Sequence, residues 1–157
     1  MHILVVGGGM GGTILANNLA RRLSGELEQG SSKITMLSAT DKHMYQPGLL
    51  YVAVGKMSTT ELYRDQKSLL EPSIDFHVDP VEKFDMDNNS VTTKSGKKIS
   101  YDILCIATGS RGNAAGIPGL AENACQFYTE ADALAMYKKL QKFEGGKVVV
   151  ATGVPHK

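Results

Sequence analysis

The sequence predicts an α/β fold in which a parallel sheet is built around a strand, glycine turn, helix and strand. Three observations predict it: the apolar run His2–Val6 leads directly into Gly7-Gly8-Gly9-Met10-Gly11-Gly12, a helical repeat of apolar residues follows, and a second apolar run closes the unit. The 157 residues are 42% hydrophobic and carry a net charge of +1. This composition is typical of a folded globular domain and gives no reason to expect nucleic acid as a partner.

The first half of the chain supplies this unit and a long loop. Apolar residues at helical spacing (Ile14, Leu15, Leu19 and Leu23) predict a helix over residues 10–23, and residues 33–37 predict the second strand. Residues 38–57 have no clear period, which is typical of a binding loop. The capping box Ser58-Thr59-Thr60-Glu61 predicts a helix that extends to about Leu70.

The second half begins with strands. Segments 74–78, 81–87 and 91–94 are β-like and are separated by turn dipeptides, so they predict a small β-meander inserted before a closing strand within residues 99–108. The glycine- and proline-rich stretch from Gly112 to Gly119 predicts a crossing between domains.

The segment after this crossing predicts a helix and then a strand. A helix is expected over residues 129–143, with Ala131, Leu134, Ala135 and Leu140 on its apolar stripe. One more strand is expected to start at residues 147–152. Since a native domain seldom ends directly after a new strand, we expect the chain to be truncated.

The glycine turn fits the pattern G-x-G-x-x-G, with Gly7, Gly9 and Gly12 at the marked positions. Gly7 permits the tight turn off the strand, Gly9 lets a pyrophosphate approach the backbone, and Gly12 lets the helix pack against the strand. The free N–H groups at the helix start, where Met10 and Gly11 lie, would hold the anion. The turn therefore predicts a dinucleotide site.

The end of the second strand leaves the identity of the dinucleotide open. FAD and NAD sites usually place an acidic residue here for the ribose hydroxyls, whereas this chain has Ser38 followed by Ala39, with Asp41 three residues after the serine. Because Lys42 and His43 are near, a site that reads the 2′-phosphate of NADP is an alternative at this point.

A second motif favours FAD. The segment Tyr101–Ser110 resembles the Tyr-Asp-x-Leu-x-Ile-Ala-Thr-Gly segment of flavoproteins with two dinucleotide-binding domains. The resemblance implies a Rossmann-like FAD-binding domain over residues 1–111 and the start of a second dinucleotide-binding-type domain over residues 112–157. It also implies that Ala107, Thr108 and Gly109 pass beside the bound FAD.

Within that group the chain resembles the sulfide:quinone oxidoreductase family. The loop Tyr45–Gly55 is similar to that family's aromatic-x-Pro segment followed by Val-Ala-x-Gly, which implies that Gln46 and Pro47 lie along the flavin. Cys125 stands where the family carries the first of three redox cysteines. Residues 153–157 resemble the stretch before the second, so a cysteine is expected directly after Lys157.

The resemblance implies an enzyme that oxidises sulfide, or a related sulfur nucleophile, with quinone as the acceptor. In the family the first cysteine is auxiliary and the second and third do the flavin chemistry, so this chain is expected to be inactive by itself. The N-terminus lacks a secretory signal, which predicts a cytoplasmic protein. Quinone reduction implies peripheral association with the inner face of the cell membrane through a C-terminal part; no oligomeric state is predicted.

Two other functions fit parts of the sequence. A type II NADH:quinone dehydrogenase shares the FAD domain and needs no cysteines, but it requires a second glycine motif, which Thr152-Gly153-Val154-Pro155 does not begin. A non-catalytic NAD(P)-binding module is the other alternative. The four histidines are scattered and predict no metal site. Cys105, within an apolar strand, is expected to act as a small hydrophobe.

Overall fold

A computed structural model describes residues 1–151 of the chain. Its strands, in chain order, are β1 (His2–Val6), β2 (Lys33–Ser38), β3 (Lys42–Met44), β4 (Tyr63–Asp65), β5 (Ile74–Val78), β6 (Val81–Asp85), β7 (Ser90–Thr93), β8 (Lys98–Ser100) and β9 (Ile103–Ile106). Its α-helices are α1 (Met10–Arg22), α2 (Ser24–Glu28), α3 (Leu49–Ala53), α4 (Leu120–Asn123) and α5 (Glu130–Leu140).

The main sheet has four parallel strands in the order β5-β2-β1-β9. Strand β1 is central, and its Leu4 lies opposite Thr35 on one side and Leu104 on the other. Because side chains alternate along a strand, β1 contributes Ile3 and Val5 to a core beneath α1 and its other apolar residues to the opposite face. The predicted βαβ unit and parallel sheet are confirmed.

The opposite face of the sheet is covered by a three-stranded antiparallel sheet in the order β6-β7-β8. Val91 and Ile99 from this sheet pack with Leu4, Val6 and Leu37 in one buried cluster. A meander forms before the closing strand β9, as predicted, but its composition differs. Segment 74–78, predicted as part of it, is the edge strand β5 of the parallel sheet, and residues 98–100 supply the third meander strand instead. The main sheet therefore lies between α1 and the antiparallel sheet, and the site lies at the carboxyl ends of its strands.

Helix α1 forms as predicted, and Leu19 and Leu23 of the predicted stripe pack against the core, but the most buried positions are small residues. Thr13, Ala16 and Ala20 are buried, whereas Ile14 is 55% exposed. Small residues face the sheet because the start of the helix contacts the end of β1 at backbone distance. The apolar stripe inferred from the larger residues was therefore only partly right.

The helix predicted from Ser58 to about Leu70 was wrong. The capping box forms, since the Ser58 amide donates to Glu61 at 2.7 Å, but it caps only the single 3₁₀ turn Thr59–Leu62. The chain then extends as β4 and pairs antiparallel with β3. Leu62 is fully buried, and its carbonyl accepts a hydrogen bond from the Tyr45 amide at 2.8 Å, so tertiary contacts override the local helical signal.

Helix α5 also forms as predicted, with Thr129 and Asp132 in a reciprocal capping box. The face that packs, however, is that of Ala133, which is fully buried against α3, together with the half-buried Met136. The predicted stripe was wrong for Ala131, Leu134 and Ala135, which are exposed. Docking on α3 selects the face, and this contact could not be inferred from the helical period.

The strand predicted to start at residue 147 is absent from the described part, residues 147–151, where Val148, Val149 and Val150 are 62%, 74% and 91% exposed. The rest of that segment and the motif at residues 153–157 lie outside the described residues.

Candidate functional site

The glycine turn is held by backbone contacts that leave no room for side chains. Gly7 has φ +114°, and a Cβ added to it would lie 2.3 Å from the carbonyl oxygen of Ala107. A Cβ on Gly12 would lie 1.9 Å from the carbonyl oxygen of Gly7. Only glycine fits at either position, so the end of β1, the start of α1 and the segment after β9 meet at van der Waals contact.

The outer side of the same turn is open. A Cβ added to Gly9 or Gly11 would meet no atom within 4 Å. Gly9 is the N-cap of α1 and supplies no side-chain cap, and the first turn of the helix carries no acidic residue. The amides at the start of α1 therefore face an open space with the positive end of the helix dipole behind them, an arrangement that fits a diphosphate.

This open space belongs to a cleft of ≈ 1360 Å³ at the carboxyl ends of β1, β2 and β9. In a parallel sheet this edge is where ligands bind. Every predicted site residue except Gly12 lines the cleft: Gly7, Gly9, Met10, Gly11, Ser38, Ala39, Gln46, Pro47, Ala107, Thr108, Gly109 and Cys125. Gly12 lies behind the turn, against Gly7. Their contact with a cofactor stays a prediction.

Part of the cleft lining comes from the meander and was not predicted from the sequence. Val81 and Phe84 of β6 and the preceding Pro80 lie on the cleft wall. No local signal marks them, because hydrophobic periodicity does not tell where a meander returns to the crevice. They add an apolar surface beside the polar glycine turn, which suits the flat ring of a nucleotide.

Ser38 ends β2 and is almost completely buried. Its Oγ accepts a hydrogen bond from the Thr40 amide at 3.4 Å, and a Cβ on Gly8 would lie 2.6 Å from that oxygen. The serine thus fits beneath the glycine turn, where a longer acidic side chain would need more room.

The two cysteines differ in position. Cys125 is exposed and lines the cleft, whereas Cys105 in β9 is half-buried and packs against the core beneath α1. The position of Cys105 agrees with its predicted role as a small hydrophobe.

Tyr128, three residues after Cys125, is a further cleft residue that the sequence analysis did not single out. Its hydroxyl lies 2.8 Å from Oγ of Ser110. Hydrogen bonds from Ser110 and, to a smaller extent, Gln46 lower the pKa of the Tyr128 phenol. This tyrosine therefore links the segment after Thr108-Gly109 to the segment that carries Cys125.

The described residues contain no group of three histidine, cysteine, aspartate or glutamate side chains placed to hold a metal ion. Among the helices of residues 1–151, none has both the length and the apolar character needed to cross a bilayer.

A family model for pyridine nucleotide-disulphide oxidoreductases matches residues 1–154. The chain belongs to this family. Pyridine nucleotide-disulphide oxidoreductases are FAD-binding flavoproteins, in agreement with the predicted cofactor and fold. Family membership also supports FAD over the NADP alternative that Ser38 left open.

Within the pyridine nucleotide-disulphide oxidoreductases, the chain is 38% identical over 152 residues to the sulfide-quinone reductase of Aquifex aeolicus, covering 95% of this chain and 34% of that protein. It is 29% identical to the mouse mitochondrial sulfide:quinone oxidoreductase, covering 94% and 33%. The X-ray structure of the Aquifex aeolicus sulfide:quinone oxidoreductase superposes with a TM-score of 0.73 at 34% identity, covering 90% of this chain and 32% of that one. The chain thus spans about a third of the length of these relatives.

Proposed function

We propose that the protein to which this chain belongs is an FAD-dependent oxidoreductase that oxidises sulfide, or a related sulfur nucleophile, and reduces a quinone. The observation that carries the proposal is the convergence of the glycine turn, the Gln46-Pro47 loop, the Thr108-Gly109 turn and Cys125 on one cleft. The similarity to sulfide-quinone reductases over 95% of the chain supports the choice of substrate.

The residues present fit the diphosphate and adenosine part of FAD. The turn offers free amides at the start of α1 to the diphosphate. Because Gly9 and Gly11 have no side chains, the diphosphate can approach these amides closely. The cleft volume of ≈ 1360 Å³ exceeds that of an ordinary small-molecule pocket, as an extended dinucleotide requires. The apolar residues of β6 would cover the adenine.

The flavin end would lie between Gln46-Pro47 and the segment 107–109. Bound FAD supplies two-electron transfer from sulfur to quinone. In balanced form, HS⁻, a quinone and one proton give a sulfur atom at the zero oxidation level, held as a persulfide, and a quinol. Cys125 would serve this chemistry as an auxiliary thiol, since its exposure on the cleft wall lets a small sulfur nucleophile reach it.

The test uses the full-length protein expressed from its complete open reading frame. We expect a yellow protein with a flavin absorption spectrum and an anaerobic activity in which sulfide, not NADH, reduces a soluble quinone analogue. A colourless protein would refute the flavoprotein proposal. A flavoprotein that oxidises NADH and ignores sulfide would instead assign it to the type II dehydrogenases.

The role of Cys125 is tested separately by a matched pair of variants. Cys125→Ser should lower the rate with sulfide while leaving the flavin bound. Cys105→Ser, in the half-buried strand position, should keep the wild-type rate. Equal rates for the wild type and Cys125→Ser would remove Cys125 from the redox chemistry without affecting the assignment of FAD.

A further inference from the structure

A polar cluster lies directly behind the glycine turn, on the side away from the cleft. It consists of Thr13 of α1, His43 of β3 and Gln66, the residue after β4. Thr13 and His43 reach the carbonyl oxygen of Gly8, and Gln66 bonds both of them. Gln66 is fully buried and Thr13 nearly so. Burying polar groups costs free energy unless they are hydrogen-bonded, so such a cluster needs a reason to exist.

The distances assign donors and acceptors within this cluster. Gln66 Nε2 donates to Thr13 Oγ1 at 2.8 Å, which leaves Gln66 Oε1 as an acceptor. Nδ1 of His43 lies 3.0 Å from that Oε1 and 3.2 Å from the Gly8 carbonyl oxygen. Since both of these oxygens are acceptors, Nδ1 of His43 carries a hydrogen and shares it between them.

The Gly8 carbonyl therefore accepts from behind a hydrogen bond of 3.3 Å from the Thr13 hydroxyl and a share of the single Nδ1 hydrogen of His43, which also bonds Gln66 Oε1. The described chain has no cis peptide bond. In a planar trans peptide the C=O and the next N–H point in opposite directions. Holding the Gly8 oxygen inward thus aims the Gly9 N–H outward, into the cleft that Gly9 lines.

We propose that His43, held in place by Gln66, is a positioning residue that presents the Gly9 amide to the diphosphate of the cofactor. This inference rests on the proposed function, because it needs FAD in the cleft. The backbone N–H of Gln66 donates to the Asp41 carbonyl at 2.7 Å, which holds this residue in place. The ribbon β3–β4 thereby supports the backbone of the glycine turn from behind.

The test compares His43→Leu, His43→Asn and His77→Leu in the full-length protein. Leucine removes the donor, whereas the asparagine amide nitrogen is at the same number of bonds from the backbone as Nδ1 and restores it. His77, half-exposed on β5 and paired with Asp75 at 2.8 Å, is the matched control. The measurements are the FAD dissociation constant, the ³¹P NMR shifts of the bound diphosphate, and the apoprotein unfolding temperature.

We expect His43→Leu to bind FAD about tenfold more weakly, as for the loss of one hydrogen bond to a buried carbonyl. Its ³¹P shifts should move, and its apoprotein should unfold at a lower temperature than the wild type, because the buried Gln66 Oε1 loses its donor. His43→Asn should restore both readouts, and His77→Leu should change neither. Wild-type affinity and ³¹P shifts in His43→Leu, or an Asn variant that behaves like the Leu variant, would overturn the inference. A wild-type protein that binds no FAD would instead refute the proposed function on which it rests.

Discussion

The two walls of the cleft are built in different ways. The glycine wall, formed by Gly7–Gly12 and Ala107–Gly109, is fixed by backbone atoms in contact, and glycine is sterically required at Gly7 and Gly12. The cysteine wall, formed by residues 117–128, is exposed and is followed directly by α5, whose Ala133 docks on α3. The first wall is therefore fixed by backbone sterics, whereas the position of Cys125 depends on where a later helix packs.

The largest effect is expected from breaking the glycine wall with Gly12→Ala. The added methyl group would fall 1.9 Å from the Gly7 carbonyl, so α1 must move away from β1. We expect a loss of about 1–3 kcal/mol in the free energy of unfolding, as for overpacked sites, and loss of bound FAD. Urea unfolding and flavin retention on gel filtration measure the two quantities.

The control for Gly12→Ala is Gly25→Ala, in α2, where the added methyl would meet nothing within 4 Å. Gly25→Ala should keep FAD and gain slightly in stability through its better helix propensity. If Gly12→Ala retained FAD as firmly as Gly25→Ala, the glycine wall would not be sterically fixed.

The cysteine wall is tested by Ala133→Glu, which places a carboxylate in a fully buried contact between α5 and α3. Amide exchange of residues 130–140 should accelerate by about tenfold or more, since each loss of about 1.4 kcal/mol in docking multiplies the opening constant by about ten. Exchange in residues 2–22 should not change. Mass spectrometry of peptides from the full-length protein measures both.

Ala131→Glu is the matched control, because it places the same charge on the exposed face of the same helix. Equal exchange rates in the two variants would mean that Ala133 does not hold α5, and the contrast between the walls would fail.

A smaller effect is expected at the two cysteines. In the reduced apoprotein, iodoacetamide should modify the exposed Cys125 well before the half-buried Cys105, because access to the thiol limits the reaction. Peptide mapping over a time course gives the two rates. Faster labelling of Cys105 would place Cys125 away from an open cleft wall.

The smallest effect concerns the link between α5 and the ribbon β3–β4. The Tyr63 hydroxyl donates to the Glu130 carboxylate, and this hydrogen bond, with burial and the nearby negative charge, raises the pKa of Tyr63 above its ordinary 10.0. Folding thus favours the protonated phenol, so the stabilisation is complete below pH 10 and is lost as the pH rises through the raised value.

The unfolding temperature of the wild type should therefore fall more steeply above about pH 10 than that of Tyr63→Phe, which has no proton to lose at this position. Tyr51→Phe, at a half-exposed tyrosine on α3, should keep the wild-type slope. Parallel slopes for the wild type and Tyr63→Phe would show that this hydrogen bond does not contribute.

The same contrast separates what the sequence could predict from what it could not. The glycine wall was predictable because Gly7, Gly9 and Gly12 are spaced by the steric demands of one local turn. The ribbon β3–β4 was missed because the Ser58 capping box is a true helix signal that long-range pairing cuts short after one turn. The cluster of Thr13, His43 and Gln66 was missed for a related reason: its members are up to 53 residues apart and only the ribbon brings them together.

The central place of β1 in the sheet has a consequence for biosynthesis. The His2 amide bonds the Asp102 carboxylate, a partner 100 residues further along the chain, and β1 pairs with β9 as well as with β2. A nascent chain leaves the ribosome N-terminus first, so 100 further residues must be synthesised before each residue of β1 can meet its partner on β9. Until β9 is synthesised, this edge of β1 exposes unpaired backbone groups to which other strands can bind. Pairing with β9 removes that exposure.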